Sequence, residues 1–219
     1  METLKLQAYN MIKQKIIQCE YPPNTILNEE KLKDELNVSR TPIRDALSRL
    51  EQESLIHILP RRGIIVKGIS AEEVEQIFEM RMLIEPYTLK MYGKTIDKPV
   101  LTEMEAFFSQ YFEDIPYEVI HKRDDEFHHL FVNASQNAYL IEACKIAYIQ
   151  NIRLRILCGN LGRDHILKSQ QQHLKIARYC LEEAWEQASA LLTDHLCYSK
   201  QASYNIITNL QILLNPRYY

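Results

Sequence analysis

The stretch Val38-Ser39-Arg40-Thr41-Pro42-Ile43-Arg44-Asp45-Ala46-Leu47-Ser48-Arg49-Leu50 constrains this 219-residue chain more than any other. Ile43, Ala46, Leu47 and Leu50 recur at the spacing of one buried helical face. Thr41 is the expected N-cap and Pro42 the first helical residue, where a missing N–H costs nothing. Arg40 and Arg44, four residues apart, then fall on the opposite face, with Ser48 one turn further. A short helix precedes this one. Asn28 supplies its N-cap, Glu29 and Glu30 meet the positive end of its dipole, and Leu27 and Leu32 have the spacing of a hydrophobic staple. It ends near Leu36 and Asn37. An earlier helix carries Leu6, Tyr9, Ile12 and Ile16 on one face and stops near Cys19 to Pro23. After the third helix, residues 55–59 (LIHIL) and 64–67 (IIVK) flank Pro60-Arg61-Arg62-Gly63, which reads as a β-hairpin with two arginines at its tip. Three helices and a hairpin make a winged helix-turn-helix.

Such a module puts its third helix in a DNA major groove, where an arginine reads guanine O6 and N7 bidentately. Arg40 and Arg44 are the candidates for that role. Arg61 and Arg62 are placed to reach phosphates or a minor groove. A pair of arginines on an isolated helix is more often a solvated face. The charge distribution argues for the sharper reading here. The formal net charge is −3, yet residues 1–68 hold 11 Lys and Arg against 9 Asp and Glu. The remainder holds 15 against 20. Two modules of opposite sign follow, with the nucleic-acid candidate at the front.

Gly68-Ile69-Ser70 is the expected joint, giving a DNA-binding domain over 1–68 and a second domain over 70–212. Ser70-Ala71-Glu72-Glu73 is a capping box that opens a helix to about Tyr92, with Val74, Ile77, Phe78, Met82 and Ile84 as its apolar stripe. Further helices are readable at about 98–112, 116–135, 138–157, 164–182 and 184–207. Six helices with short connections predict an antiparallel bundle, so the chain is expected to be mainly α. Only 5 Gly and 8 Pro argue against a loop-rich all-β fold. No apolar run approaches the ~18 residues of a membrane helix, and the N-terminus lacks the apolar core of a signal peptide. Five scattered cysteines without a CxxC fit reduced thiols in a cytoplasmic protein with no membrane partner.

The chemistry of the second domain lies in its histidines. Asp124 and His128, at i and i+4, share a helix face, while His173 and His195 lie on later helices. One carboxylate and three imidazoles converging in a bundle would hold a divalent transition ion, Zn, Ni or similar. Taken singly, each histidine is more often an ordinary core or surface residue. His121 shares the face of Asp124 and His128. His129 points away, and His57 and His165 read as structural or exposed. Arg81, Arg153 and Arg155 are candidate cations for an anionic ligand, although Arg81 also has Glu85 four residues on as a helical partner.

Residues of about 5–67 resemble the DNA-binding domain of the GntR family of bacterial transcriptional regulators. The match runs through Ile16-Ile17, Pro23-Asn24, Leu27, Leu32, the segment from Val38 to Leu47, Leu50, Pro60, Gly63 and Val66. The resemblance implies DNA contacts from Arg40, Thr41, Arg44 and the wing Gly63. The chain departs from the family at Cys19, Asn24, Asn37 and Ser54, where glycine is frequent, and at Glu30, where some members carry a basic residue.

Residues of about 71–207 resemble the all-helical effector domain of the FadR-type branch of the same family, the FCD domain. The match carries Arg81 to Glu85, Asp124 to His128, Asn137, Leu140, His173 and Asp194-His195-Leu196. It implies that Asp124, His128, His173 and His195 are metal ligands and favours Arg81 as the effector-binding cation. Gln172 and Glu183-Ala184 depart from the family's acidic residue and Gly-Asp turn. The expected function is a regulator, not an enzyme, that binds double-stranded operator DNA as a homodimer. A small effector, a carboxylate, would act through the helical domain. The competing class is a metal-dependent enzyme with an accessory nucleic-acid-binding domain, which leaves residues 38–47 and the basic hairpin without a purpose. A purely structural metal with no effector is the third reading.

Overall fold

The computed structural model describes residues 3–59, 63–112, 115–158 and 162–214, with side chains to 209. The chain divides into two compact units, Met1–Ile69 with Ile152–Leu157, and Ser70–Asn151 with Cys158–Tyr219.

The first unit holds α1 (Leu4–Ile17), β1 (Ile26–Leu27), α2 (Glu29–Leu36), α3 (Arg40–Gln52), β2 (Ile56–Leu59) and β3 (Gly63–Val66). Tyr9, Ile12 and Ile16 of α1 are buried, as are Ile43, Ala46, Leu47 and Leu50 of α3, and the two helices pack together. Leu6, expected on the same face, is exposed with Leu4 in a first turn that lies outside this core. Asn28 caps α2 as expected, its side-chain oxygen accepting from the Glu30 and Lys31 backbone N–H groups. The start of α3 differs from expectation. Ser39 occupies the N-cap position without a side-chain cap bond, and Arg40 and Thr41 are already helical. Pro42 is accommodated because no N–H in the first turn has an intrahelical acceptor. The hairpin forms with Ile56 opposite Val66 and Leu59 opposite Gly63. The two-residue β1 adds to its other edge, giving the order β1-β3-β2. Two residues are too few to show an alternating pattern, so this strand left no signal in the sequence.

Cys19, Asn24, Asn37 and Ser54 all adopt left-handed backbone, with φ of 55°, 66°, 51° and 57°. These are the positions where the related domain often has glycine. Asparagine tolerates this region; cysteine and serine do so at a cost of roughly 1–2 kcal/mol, partly offset by glycine's greater chain entropy. Ser54→Gly is therefore expected to raise the unfolding free energy, by up to about 1 kcal/mol. Urea denaturation showing equal or lower stability would mean that the Ser54 backbone is not strained.

The second unit is the helical bundle: α4 (Ala71–Tyr92), a 3₁₀ turn (Gly93–Thr95), α5 (Lys98–Phe108), α6 (Tyr117–Asn133), α7 (Ala138–Leu157), α8 (Arg163–Leu181) and α9 (Trp185–Leu214). The last six residues of α7 belong to the first unit. The capping box at Ser70 and Glu73 is complete in both directions. α4 packs against α9 and α6, and α8 against α9 and α5. α5 stops at Phe108, earlier than expected, and α9 runs on to Leu214. Met82 and Ile84 are only half-buried. The ion pair of Arg81 and Glu85 occupies the buried face of α4 in their place. Among the described residues no helix is long and apolar enough to cross a membrane.

Candidate DNA-reading face and metal centre

On α3, Arg40, Thr41, Arg44 and Ser48 are exposed, while the opposite face is buried. Both arginines are engaged within the unit. Arg40 Nη2 lies 2.6 Å from Glu30 Oε1, and Arg44 Nε lies 3.0 Å from Glu29 Oε2. The guanidiniums remain more than half exposed, so each pair contributes at most about 1 kcal/mol and can be exchanged for another anion. The acidic start of α2 thus touches the candidate reading residues. Glu29, Glu30 and Arg44 line a cleft of about 550 Å³ together with Leu47, Ile58 and Gly63. Gly63 opens β3 with a φ of +99°, a conformation that a side chain would strain. Arg61 and Arg62 lie outside the described residues.

In the bundle, Asp124 and His128 of α6, His173 of α8 and His195 of α9 converge. One ligand atom from each lies within 4.8 Å of all the others. The three imidazoles are buried and Asp124 is half-buried. Their orientation follows from what the other ring nitrogens touch. His128 Nδ1 is 2.6 Å from Glu85 Oε2, and His195 Nδ1 is 3.1 Å from Gln172 Oε1. Both partners accept, so Nδ1 carries the proton and each Nε2 keeps its lone pair. His195 Nε2 faces His173 Nε2 at 3.1 Å, and His173 Nε2 lies 3.5 Å from Asp124 Oδ1. For bonds of about 2.1 Å to a common ion, adjacent donors stand roughly 3.0–3.5 Å apart. The His173–His195 and His173–Asp124 pairs match that spacing, and one carboxylate with three imidazoles is a donor set that suits a divalent transition ion.

The electrostatics favour the same state. Burial holds the His195 imidazole well below its ordinary pKa, and the facing His173 and His128 reinforce it, so it is neutral, as a metal ligand must be. Burial alone would raise the Glu85 carboxyl. Arg81 and then His128 overcome that and hold it at about 2. Arg81 is 2% exposed, its Nε donating to Glu85 Oε1 at 2.6 Å. The chain Arg81–Glu85–His128 therefore orients one candidate ligand through a carboxylate, an arrangement common behind metal-bound imidazoles.

Sequence reasoning saw Glu85 only as a helical partner of Arg81. Its reach to α6, 43 residues on, has no local signature. Gln172 keeps the acceptor role expected of the related domain's acidic residue. His121 stacks on Tyr117. His129 turns away, its Nδ1 2.6 Å from the Asp125 carbonyl and its ring against Tyr148. His57 is exposed, and His165 stacks on Tyr198. Arg153 belongs to the first unit, where its Nη2 donates to the Lys67 carbonyl.

A winged helix-turn-helix and a helical bundle with a histidine-rich centre, carried on one chain, define a two-domain class of DNA-binding protein. Comparison with known proteins makes this definite. Residues 4–66 match the model of the gntR family of bacterial regulatory proteins, and residues 76–197 match the FCD domain. The chain belongs to the GntR family and carries an FCD domain, and it is a DNA-binding transcriptional regulator rather than an enzyme. It is 28% identical to the transcriptional repressor RspR of Escherichia coli (strain K12), over 87% of this chain and 84% of that one. It is 29% identical to the HTH-type regulator YdhC of Bacillus subtilis (strain 168), over 62% of each. The fold is shared with a GntR regulator of Rhodococcus sp. RHA1, at 18% identity and a TM-score of 0.76 over 92% of this chain and 97% of that one. It is also shared with the Zn²⁺-bound FCD domain of TM0439, at 20% identity and a TM-score of 0.51 over 65% and 97%.

Proposed function

We propose that this regulator binds operator DNA as a homodimer and responds to a small carboxylate through a metal centre in its FCD domain. In this reading Arg40, Thr41 and Arg44 enter the major groove, and Arg61, Arg62 and Gly63 form the wing contact. Asp124, His128, His173 and His195 hold one divalent transition ion, Zn or Ni. The observation that carries the metal centre is the convergence of four donors from three helices, two of them aimed by Glu85 and Gln172. The Zn²⁺ of the related TM0439 domain supports the choice of ion.

A divalent ion with one carboxylate and three neutral imidazoles keeps a charge of about +1 and attracts an anion. Bound there, a carboxylate would favour one packing of the surrounding helices. The response requires that this packing bind operator differently from the free form. Arg81, expected as the cation that binds the effector, is buried in an ion pair with Glu85 behind His128, so in this reading the ion rather than Arg81 holds the carboxylate. The homodimer draws support from α4, where Leu83, Tyr87 and Met91 make an exposed apolar stripe at four-residue intervals. A two-fold pair of winged helices then reads an inverted repeat. As a DNA-binding regulator it acts in the cytoplasm.

Light scattering of the full chain is expected to return twice the 25.9 kDa chain mass at micromolar concentration. Removing metal with a chelator should abolish any effect of added small carboxylates on operator binding. A monomer mass with operator binding retained would remove the dimer. Metal-free protein with an undiminished response would remove the ion from the mechanism.

A further inference from the structure

Two ladders of side chains, one on α6 and one on α8, lead from the bundle surface to the metal-type cluster. On α6 the rungs are Tyr117, Ile120, Asp124 and His128; on α8 they are Arg163, Ile166, Gln170 and His173. Steps of three or four residues keep each ladder on one helix face. The outer two rungs of both ladders line one cavity of about 320 Å³. The inner rungs meet at the cluster, with His173 3.5 Å from Asp124 and the His128 and His173 rings 5.2 Å apart. The third rung on α8 is Gln170, between the cavity wall and the ligand histidine. It is 3% exposed, and its Oε1 is buried with no hydrogen-bond partner among the described residues. Native proteins rarely leave such an acceptor unmade.

We propose that the cavity between α6 and α8 is the vestibule of the effector pocket, and that Gln170 selects a hydroxycarboxylate. The carboxylate is bound at the ion held by Asp124 and the three histidines, and the hydroxyl donates to Gln170 Oε1. This rests on the metal and carboxylate reading above. A plain aliphatic acid would seal the amide oxygen against hydrocarbon without a donor, which is unfavourable. An ammonium group would also donate, but its charge would sit beside the divalent ion itself, and like charges repel strongly at short range in a pocket that excludes water. The cavity is at the small end of ligand sites, so a short acid fits it better than a long one.

The test uses the full-length, Zn²⁺-loaded protein and probes that differ by one group: glycolate, acetate and glycine, compared by calorimetric titration. Glycolate is expected to bind about fivefold or more tighter than acetate, the worth of one neutral hydrogen bond. Gln170→Leu, and Gln170→Met as an unbranched second variant, are expected to lose that preference. Both should keep wild-type Zn²⁺ content and circular dichroism, which separates lost selectivity from a lost fold. Equal binding of glycolate and acetate by wild type overturns the proposal and leaves the carboxylate reading standing. So does a preference that survives in a folded variant, or tighter binding of glycine than of glycolate. If none of the probes binds, the carboxylate reading itself fails and this proposal with it.

Discussion

Replacing His128 by Ala is expected to weaken Zn²⁺ binding by more than 100-fold, while replacing its neighbour His129 by Ala leaves it unchanged. The two variants have the same composition, net charge and helix, and differ only in which way the lost imidazole points. His128 aims Nε2 at the cluster because Glu85 holds Nδ1; His129 is tied to the Asp125 carbonyl and rests on Tyr148. Loss of an outer partner of a metal ligand costs roughly 10–100-fold in affinity, so loss of the ligand itself costs more. Glu85→Gln is accordingly expected to fall between, at about 10–100-fold. Occupancy should also fall in acid, because protonated imidazoles cannot ligate, and burial of His195 places that loss below the ordinary imidazole range. Equilibrium dialysis against Zn²⁺ measures all three. Metal lost from the His129 variant but retained in the His128 variant would show that the opposite face of α6 carries the site.

The second expected result concerns DNA. Arg40→Ala and Arg44→Ala should each cost about 1–3 kcal/mol on a selected operator and relax base preference at one position. In the free protein these side chains rest on Glu30 and Glu29, and binding exchanges those partners for base edges. Glu29→Gln should then tighten binding to a random-sequence duplex in wild type but have little effect in the Arg44→Ala background. An equal effect in both backgrounds would mean that Glu29 acts by bulk charge alone. Arg61→Ala or Arg62→Ala should weaken binding more uniformly across sequences and flatten its salt dependence. Fluorescence anisotropy at several salt concentrations distinguishes the cases. Operator binding unchanged in all four arginine variants would remove α3 from the groove.

Much of the fold was legible because its signals are local. The buried face of α3, the Asn28 cap and the Ser70 capping box each lie within one helical turn, where spacing along the chain is spacing in space. The left-handed turns were legible in a less direct way. Asn24 and Asn37 are residue types that accept such backbone, whereas Cys19 and Ser54 carry no such signal in their residue type. The start of α3 was misplaced because Ser39 and Thr41 are both acceptable caps and only the observed backbone chooses between them.

The candidate metal centre divides along the same line. Asp124 and His128 are four residues apart on one helix, so their shared face follows from the sequence alone. His173 lies 45 residues beyond His128, and His195 a further 22. No periodicity spans those distances. Their meeting was expected only from resemblance to a family, and it is packing of α6, α8 and α9 that brings them within reach. Glu85, Gln172 and Gln170 looked like ordinary surface-type residues of polar helices. The burial of Glu85 and Gln170, and the partner each of the three has or lacks, are properties of the assembled bundle. Secondary structure answers to neighbours within a turn, whereas a site built from three helices depends on how those helices cross, which no single segment encodes.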